Sequence, residues 1–200
     1  TLFRSPEHPH PAAVQDSRAA TEWVAAHAVD LGVDPARLAV AGDSAGGTLS
    51  AVVAQLARDN GGPPIAFQLL WYPGTTYDTS LPSFTENANA PVMDRAALAA
   101  FTRWYAGPDV DPRNPPATMA PARAANLAGL PPAYIAVAGH DPLRDDGLHY
   151  GDLLAAAGVP VQVHNAATLV HGYLGYAGVV PAATEATALG LAALRDALHA

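Results

Sequence analysis

The sequence contains neither cysteine nor lysine, and these two absences exclude several classes of function. Without cysteine the chain has no disulfide bond, no thiolate zinc site and no cysteine nucleophile, although the redox compartment stays open. The 10 basic residues are all arginine, and 18 acidic residues outnumber them to give a net charge of −8. A nucleic acid or an anionic membrane surface is therefore disfavoured as a partner, because both require a concentrated positive field.

Long apolar runs are also missing from the sequence. No run approaches the roughly 20 residues of a membrane-spanning helix, and residues 1–11 lack the basic and apolar regions of a signal peptide. We therefore expect a soluble protein with a cytoplasmic location. Because the chain begins at Thr1 rather than at a methionine, we also expect it to belong to a longer translation product.

The rest of the composition is that of a globular protein. Half of the residues are hydrophobic and 14% are charged, which excludes wholesale disorder. The 200 residues suit a single domain covering 1–200, since domains usually run to about 100–200 residues. No repeat or low-complexity linker indicates a second domain.

Short apolar runs alternate with segments of helical periodicity along the chain. Strands are predicted at 37–42, 65–71, 134–138 and 159–164, and helices at 11–31, 45–59, 95–105, 145–157 and 181–198. The strands are continuous apolar runs, so the pattern predicts an α/β fold with a mostly parallel sheet and helices on both faces. Residues 73–129 interrupt the alternation, and we expect an insertion with a partial helical cap over the carboxyl edge of the sheet, where ligands bind in such folds.

The sequence Gly42-Asp43-Ser44-Ala45-Gly46 is a G-x-S-x-G motif between a predicted strand and a predicted helix. This context is that of a nucleophile elbow, in which small residues permit a tight turn that exposes the serine hydroxyl. The Ala45 N–H would then lie at the helix N-terminus and help to stabilise an oxyanion. An ordinary glycine turn capped by Asp43 or Ser44 is the alternative interpretation.

A serine nucleophile needs a base to take its proton. In α/β-hydrolases the chain order is nucleophile, acid, base, and the histidine follows the last strand. His171 has this position, because a short loop separates it from the predicted strand at 159–164. His164 ends that strand, and it is a rival candidate for the base only if the strand has a different register from the predicted one.

The acid should follow a strand that lies between the nucleophile and the base in sequence. Asp141 follows the predicted strand at 134–138 and is expected to accept a hydrogen bond from His171 Nδ1–H. Asp145 and Asp146 are rivals, but they lie where a helix begins and suit its first turn. The histidines have no metal-ligand spacing, so neither a metal nor an organic cofactor is expected.

Five sequence blocks carry a resemblance to a known family. They are Arg4 with PEHPHPAA at 6–13, GDSAGG at 42–47, LAGLPPA at 127–133, DPLRDDG at 141–147 and HGY at 171–173. In this order and over nearly the whole chain, they resemble the hormone-sensitive-lipase family of α/β-hydrolase carboxylesterases. The resemblance implies the α/β-hydrolase fold, with Ser44 as nucleophile, Asp141 as acid, His171 as base and the Ala45 N–H as one oxyanion donor.

The sequence departs from the family pattern in four places. The family's first strands and its H-G-G-G loop, which supplies the other oxyanion donors, have no counterpart in these 200 residues. The segment Arg4-Ser5-Pro6 is one residue shorter than the pattern, and residues 165–168 lack its aromatic-Pro-Gly sequence. Removing one oxyanion donor costs about 3 kcal/mol of transition-state stabilisation, so we expect the chain alone to be an inefficient enzyme. Without the first strands we also expect an exposed apolar sheet edge that favours association with other chains.

These residues predict a serine carboxylesterase that cleaves small-molecule esters through an acyl-enzyme, with the small to medium acyl range implied by the resemblance. A non-catalytic binding protein on a decayed hydrolase scaffold is the alternative, and the same constellation also serves thioester, lactone or amide hydrolysis. The oligomeric state stays open, because the final helix suits either a homodimer face or a cover for the sheet. Six aromatic residues are candidates for either the pocket or the core: Trp71, Tyr72, Phe84, Phe101, Trp104 and Tyr173.

Overall fold

A parallel sheet forms the centre of the molecule. The computed structural model describes residues 5–199, so Arg4 of the first family block lies outside the described residues. Within that range, four strands pair in parallel in the order β1-β2-β3-β4. The strands are β1 (Ala39–Asp43), β2 (Phe67–Trp71), β3 (Ala133–His140) and β4 (Val161–Val170).

Helices cover the sheet and connect its strands. In the described range they are α1 (Ala12–Ala26), α2 (Ala45–Asp59), α3 (Pro82–Glu86), α4 (Arg95–Ala106), α5 (Arg144–Ala156) and α6 (Pro181–His199). Short 3-10 helices lie at Pro35–Arg37, Pro121–Arg123 and Tyr173–Tyr176. The α/β architecture predicted from the sequence is confirmed.

Both faces of the sheet are packed against helices, as the apolar strand sequences require. On one face, Leu69 of β2 packs with Ala183 and Ala186 of α6. On the other face, the next residue, Leu70, packs in one cluster with Leu154 of α5. Successive side chains of a strand point to opposite faces, so a strand covered on both sides is apolar throughout.

The predicted bounds of the elements agree best where glycine or proline ends an element. The predicted helix at 45–59 is found without change as α2. The first helix ends at Ala26 rather than near residue 31, because the chain turns at His27 and continues as turns to Gly32. Strand β3 is longer than the predicted 134–138, because its pairing with β4 continues to His140.

Strand β4 differs most from its prediction. It extends to Val170, six residues beyond the predicted end at His164, through an irregularity opposite Ala138 and His140. The expected short loop before His171 is therefore wrong, and the histidine directly follows the strand. Most β4 side chains are also partly or fully exposed rather than buried, because β4 lies at the edge of the described sheet.

The irregularity between β3 and β4 yields a stability prediction. A Cβ atom on Gly139 would lie 2.0 Å from the backbone oxygen of Ala167, whereas one on Gly175 would meet no atom within 4 Å. Gly139→Ala is expected to lower the free energy of unfolding by about 1–3 kcal/mol through overpacking. Gly175→Ala is the matched control, and urea unfolding compares them. Equal stability of the two variants would contradict the close approach of the strands.

Candidate active site

Ser44 occupies a strained turn between β1 and α2. Its backbone has φ 52° and ψ −120°, a region that residues with a side chain rarely adopt. The turn closes because Gly42 has no side chain: a Cβ atom there would lie 2.3 Å from the carbonyl carbon of Gly46. A hydrogen bond of 2.8 Å from the Ser44 N–H to the Trp71 carbonyl anchors the turn to β2. This geometry is that of a nucleophile elbow and excludes an ordinary capped turn.

The structure brings the three predicted side chains into one hydrogen-bonded chain. His171 Nδ1 lies 2.7 Å from Asp141 Oδ2, and His171 Nε2 lies 2.9 Å from Ser44 Oγ. A carboxylate can only accept, so the proton belongs on Nδ1, and Nε2 is left to accept from the Ser44 hydroxyl. The arrangement can therefore take a proton from Ser44 while Asp141 holds the imidazole in the required tautomer.

Asp141 and His171 are almost entirely shielded from solvent. Asp141 is 0% exposed and His171 is 4% exposed. The second oxygen of Asp141 accepts from the Leu143 N–H at 2.8 Å, so both carboxylate oxygens have a donor. A buried carboxylate is costly unless it is hydrogen-bonded, and these two bonds satisfy that requirement.

An aromatic side chain that the sequence did not single out for this role packs against the imidazole, and a second one packs against the first. The Tyr72 ring lies 4.7 Å from the His171 ring, centroid to centroid, and 5.1 Å from the Tyr173 ring. Tyr72 has a positive φ of 36°, which turns the chain at the end of β2. Tyr72 directly follows a predicted buried strand and precedes Pro73, which places it at the carboxyl edge of the sheet. This position alone did not predict its contact with His171.

The Ala45 N–H lies where the prediction placed it, in the first turn of α2. N–H groups in a first helical turn have no acceptor within the helix, and the helix dipole adds partial positive charge there. Ala45 also lines the same cavity as Ser44 and His171. Its role as an oxyanion donor stays a prediction.

Residues 73–129 cover the carboxyl ends of the strands. Together with Ser44 and His171 they enclose a cavity of about 980 Å³. Its apolar lining includes Phe84, Val92, Met93, Leu98, Phe101 and Trp104. Three of the six candidate aromatic residues therefore lie in the cavity wall, whereas Trp71, Tyr72 and Tyr173 belong to the buried core.

The rival residues lie outside the hydrogen-bonded chain. His164 lies within β4 opposite Ala136, seven residues before the histidine that contacts Ser44. Asp145 accepts from the Ser83 N–H and pairs with Arg144, and both Asp145 and Asp146 occupy the first turn of α5 as expected. Asp146 has a further structural role that the sequence did not indicate, since it binds residues 75–76 of the insertion.

The family can be named from comparison with known proteins. A family model described as alpha/beta hydrolase fold matches residues 3–175. The chain belongs to this alpha/beta hydrolase family. The esterase LipI of Mycobacterium tuberculosis (strain ATCC 25618 / H37Rv) is 71% identical over 195 residues, which are 98% of this chain and 61% of LipI. The carboxylesterase NlhH of the same strain is 62% identical over 198 residues, 98% of this chain and 62% of NlhH.

A solved structure shows the same hydrolase architecture. The crystal structure of DphMB1 superposes with a TM-score of 0.93 at 69% identity, over 96% of this chain and 64% of that one. The predicted fold and the predicted relationship to esterases are confirmed. The chain spans 61% and 62% of the length of the two curated relatives.

Among residues 5–199, no helix combines the length and apolar character needed to cross a bilayer. In the same range, no three His, Asp or Glu side chains cluster closely enough to hold a metal ion.

The buried carboxyl of Asp146 yields a pH prediction. Burial raises its pKa to about 6 from an ordinary value of 3.8. Between pH 4 and 6 the native state therefore binds more protons than the unfolded state, and the free energy of unfolding falls as pH rises. The shift of two pKa units lowers the free energy of unfolding by roughly 3 kcal/mol between pH 4 and pH 7.

Urea unfolding across this pH range tests the prediction with two matched variants. Asp146→Asn keeps the side-chain shape and an accepting oxygen, so its stability is expected to lose this pH dependence. Asp152→Asn replaces an exposed carboxylate on the same helix and is expected to retain it. The same pH slope in wild type and Asp146→Asn would refute the assignment.

Proposed function

We propose that the chain carries the catalytic residues of a serine carboxylesterase that acts on small-molecule esters. The observation that carries this proposal is the continuous Ser44–His171–Asp141 hydrogen-bonded chain at the base of a largely apolar cavity. An ester presents a carbonyl carbon for attack and an uncharged body that an apolar wall can bind. The similarity to proteins named esterase and carboxylesterase supports the same chemistry.

The proposed reaction starts with the attack of Ser44 Oγ on the ester carbonyl. His171 Nε2 takes the hydroxyl proton, and Asp141 stabilises the resulting imidazolium and holds the ring in place. The Ala45 N–H and the N-terminus of α2 stabilise the negative charge on the former carbonyl oxygen. The alcohol leaves with the proton from His171, and the acyl group stays on Ser44.

The second half of the reaction returns the serine. His171 removes a proton from a water molecule, which attacks the acyl carbonyl through a second oxyanion. The carboxylic acid leaves, and the proton returns to Ser44. No step of this cycle calls for a metal or an organic cofactor. Thioesters, lactones and amides react by the same steps, so a panel of acyl bonds belongs in the first assay.

The cavity wall supports apolar groups on the ester. Phe84, Leu98 and Phe101 belong to residues 73–129 and form part of that wall. We propose that these residues act as the cap of one α/β-hydrolase domain at 1–200. The short to medium acyl range is carried by the resemblance to the hormone-sensitive-lipase family.

The remaining proposals concern location and assembly. We propose a cytoplasmic location, and the net charge of −8 supports the lack of a nucleic-acid partner. Helix α6 covers the sheet through Ala183 and Ala186, while Leu189 and Leu191 remain 44% and 51% exposed. We propose a homodimer through the side of α6 that carries Leu191, so sedimentation analysis is expected to show a dimer for the wild type and a monomer for Leu191→Glu.

Hydrolysis of p-nitrophenyl esters tests the proposed nucleophile. Ser44→Ala is expected to lower kcat/KM by at least about a thousandfold, because the hydroxyl that forms the acyl-enzyme is removed. Ser80→Ala, an exposed serine on residues 73–129, is the matched control and should retain the wild-type rate. Activity of Ser44→Ala at the wild-type level would sink the proposed mechanism, and turnover of a thioester but not of any ester would redirect it to another acyl bond.

A further inference from the structure

The start of the insertion is tied to the segment that carries Asp141. We call residues 75–87 the strap and residues 139–146 the acid loop. Ten hydrogen bonds between 2.7 and 3.5 Å join them. The five strap and acid-loop side chains that make most of these bonds are at most 8% exposed: Thr75, Thr76, Ser83, Asn87 and Asp146. Such bonds inside a protein exclude competing water and hold their partners in one arrangement.

Asn87 is the strap residue that binds Asp141 itself. Its side-chain Nδ2 donates to the Asp141 carbonyl at 3.2 Å and lies 3.5 Å from the Gly139 carbonyl. The same Asp141 carbonyl also accepts from the Arg144 N–H at 3.1 Å. The backbone of the acid is thus held from the strap on one side and from its own helix on the other.

Ser83 and the neighbouring acids fix the rest of the acid loop. The Ser83 hydroxyl donates to the Pro142 carbonyl at 2.7 Å and accepts from the Asp145 N–H at 3.1 Å. Asp145 in turn accepts from the Ser83 N–H at 2.8 Å. Asp146 binds the other end of the strap through the N–H groups of residues 75 and 76. The strap is therefore fastened at both of its ends and at its middle.

The acid loop needs this support because the sheet gives it less than an even strand ladder would. The pairing of β3 with β4 becomes irregular between Ala138 and His140, immediately before Asp141. From Gly139 onward the position of the chain therefore depends on contacts other than regular strand pairing. The carboxylate must still meet His171 at 2.7 Å, and a misplacement of about 1 Å in such a site can cost a hundredfold in rate.

We infer that Asn87 is a positioning residue for Asp141, through which the cap insertion sets the geometry of the His171–Asp141 pair. Asn87 touches neither substrate nor the reacting atoms and acts only on the backbone of the acid. The inference rests on the proposed function for its effect on rate. Its structural part, the placement of the Asp141 carboxylate against His171, does not depend on the activity.

Helix α3 connects this support to the cavity. It begins with Pro82 and Ser83, and Asn87 caps its carboxyl end. Between them, Phe84 forms part of the cavity wall, with the Arg95 guanidinium 5.3 Å from the centre of its ring. One short helix therefore contacts both the cavity, through Phe84, and the acid, through Asn87.

Asn87→Leu tests the inference in the complete protein, because it keeps the branched shape of the side chain and removes the donor. We expect kcat to fall about 10- to 100-fold while KM changes less than about twofold, since the loss affects the acid rather than the binding wall. The far-downfield proton signal of the His171–Asp141 hydrogen bond is expected to shift or broaden in the NMR spectrum. Ser83→Ala, which removes one hydroxyl and little volume, should cause the same changes to a smaller degree.

Asn60→Leu, at an exposed asparagine that ends α2, is the matched control and should leave rate and spectrum unchanged. Wild-type kcat and an unshifted signal in folded Asn87→Leu and Ser83→Ala would overturn the inference while leaving the esterase proposal intact. Wild-type protein without hydrolytic activity would instead count against the proposed function, and the proton signal would still decide the role of Asn87.

Discussion

Asp141 is a fully buried carboxylate, and its cost is tolerable only because each of its oxygens has a donor. One oxygen accepts from His171 and the other from the Leu143 N–H, while the backbone carbonyl accepts from Asn87. The end of strand β3, the residue that follows β4, the residue that precedes α5 and the insertion therefore meet at one residue. The distance from His171 to Ser44 depends on how accurately these four parts of the chain place Asp141.

Ser44, the proposed nucleophile, is subject to a second and local constraint. Ser44 has a positive φ, which costs free energy unless the surroundings enforce it. The enforcing contacts are the hydrogen bond to the Trp71 carbonyl and the close approach of Gly42 to Gly46. The strain thus belongs to the turn between β1 and α2, and it presents the hydroxyl at the carboxyl edge of the sheet, where His171 and the cavity also lie.

The parts of the fold and site that depend on local sequence were predictable, whereas those that depend on distant contacts were not. The elbow at Ser44 and the helix that follows it are predicted from neighbouring residues alone, because glycines and prolines lie at their ends. The length of β4 was not predictable from its own residues, because pairing with β3 extends it beyond His164 to Val170. The contacts that Asn87 and Tyr72 make in the site were not predicted, because they also join residues far apart in the sequence. Asn87 is 54 residues from Asp141, and its sequence neighbours carry no motif.

The most direct test of the central claim is covalent labelling of Ser44 by a fluorophosphonate, followed by intact-mass measurement of wild type and Ser44→Ala. The reagent reacts with a serine whose hydroxyl proton is accepted by a base, which is the state that the Ser44–His171–Asp141 contacts describe. The account predicts a single adduct on the wild type and none on Ser44→Ala. A folded wild-type protein that gains no adduct, or an adduct that persists in Ser44→Ala, would contradict it.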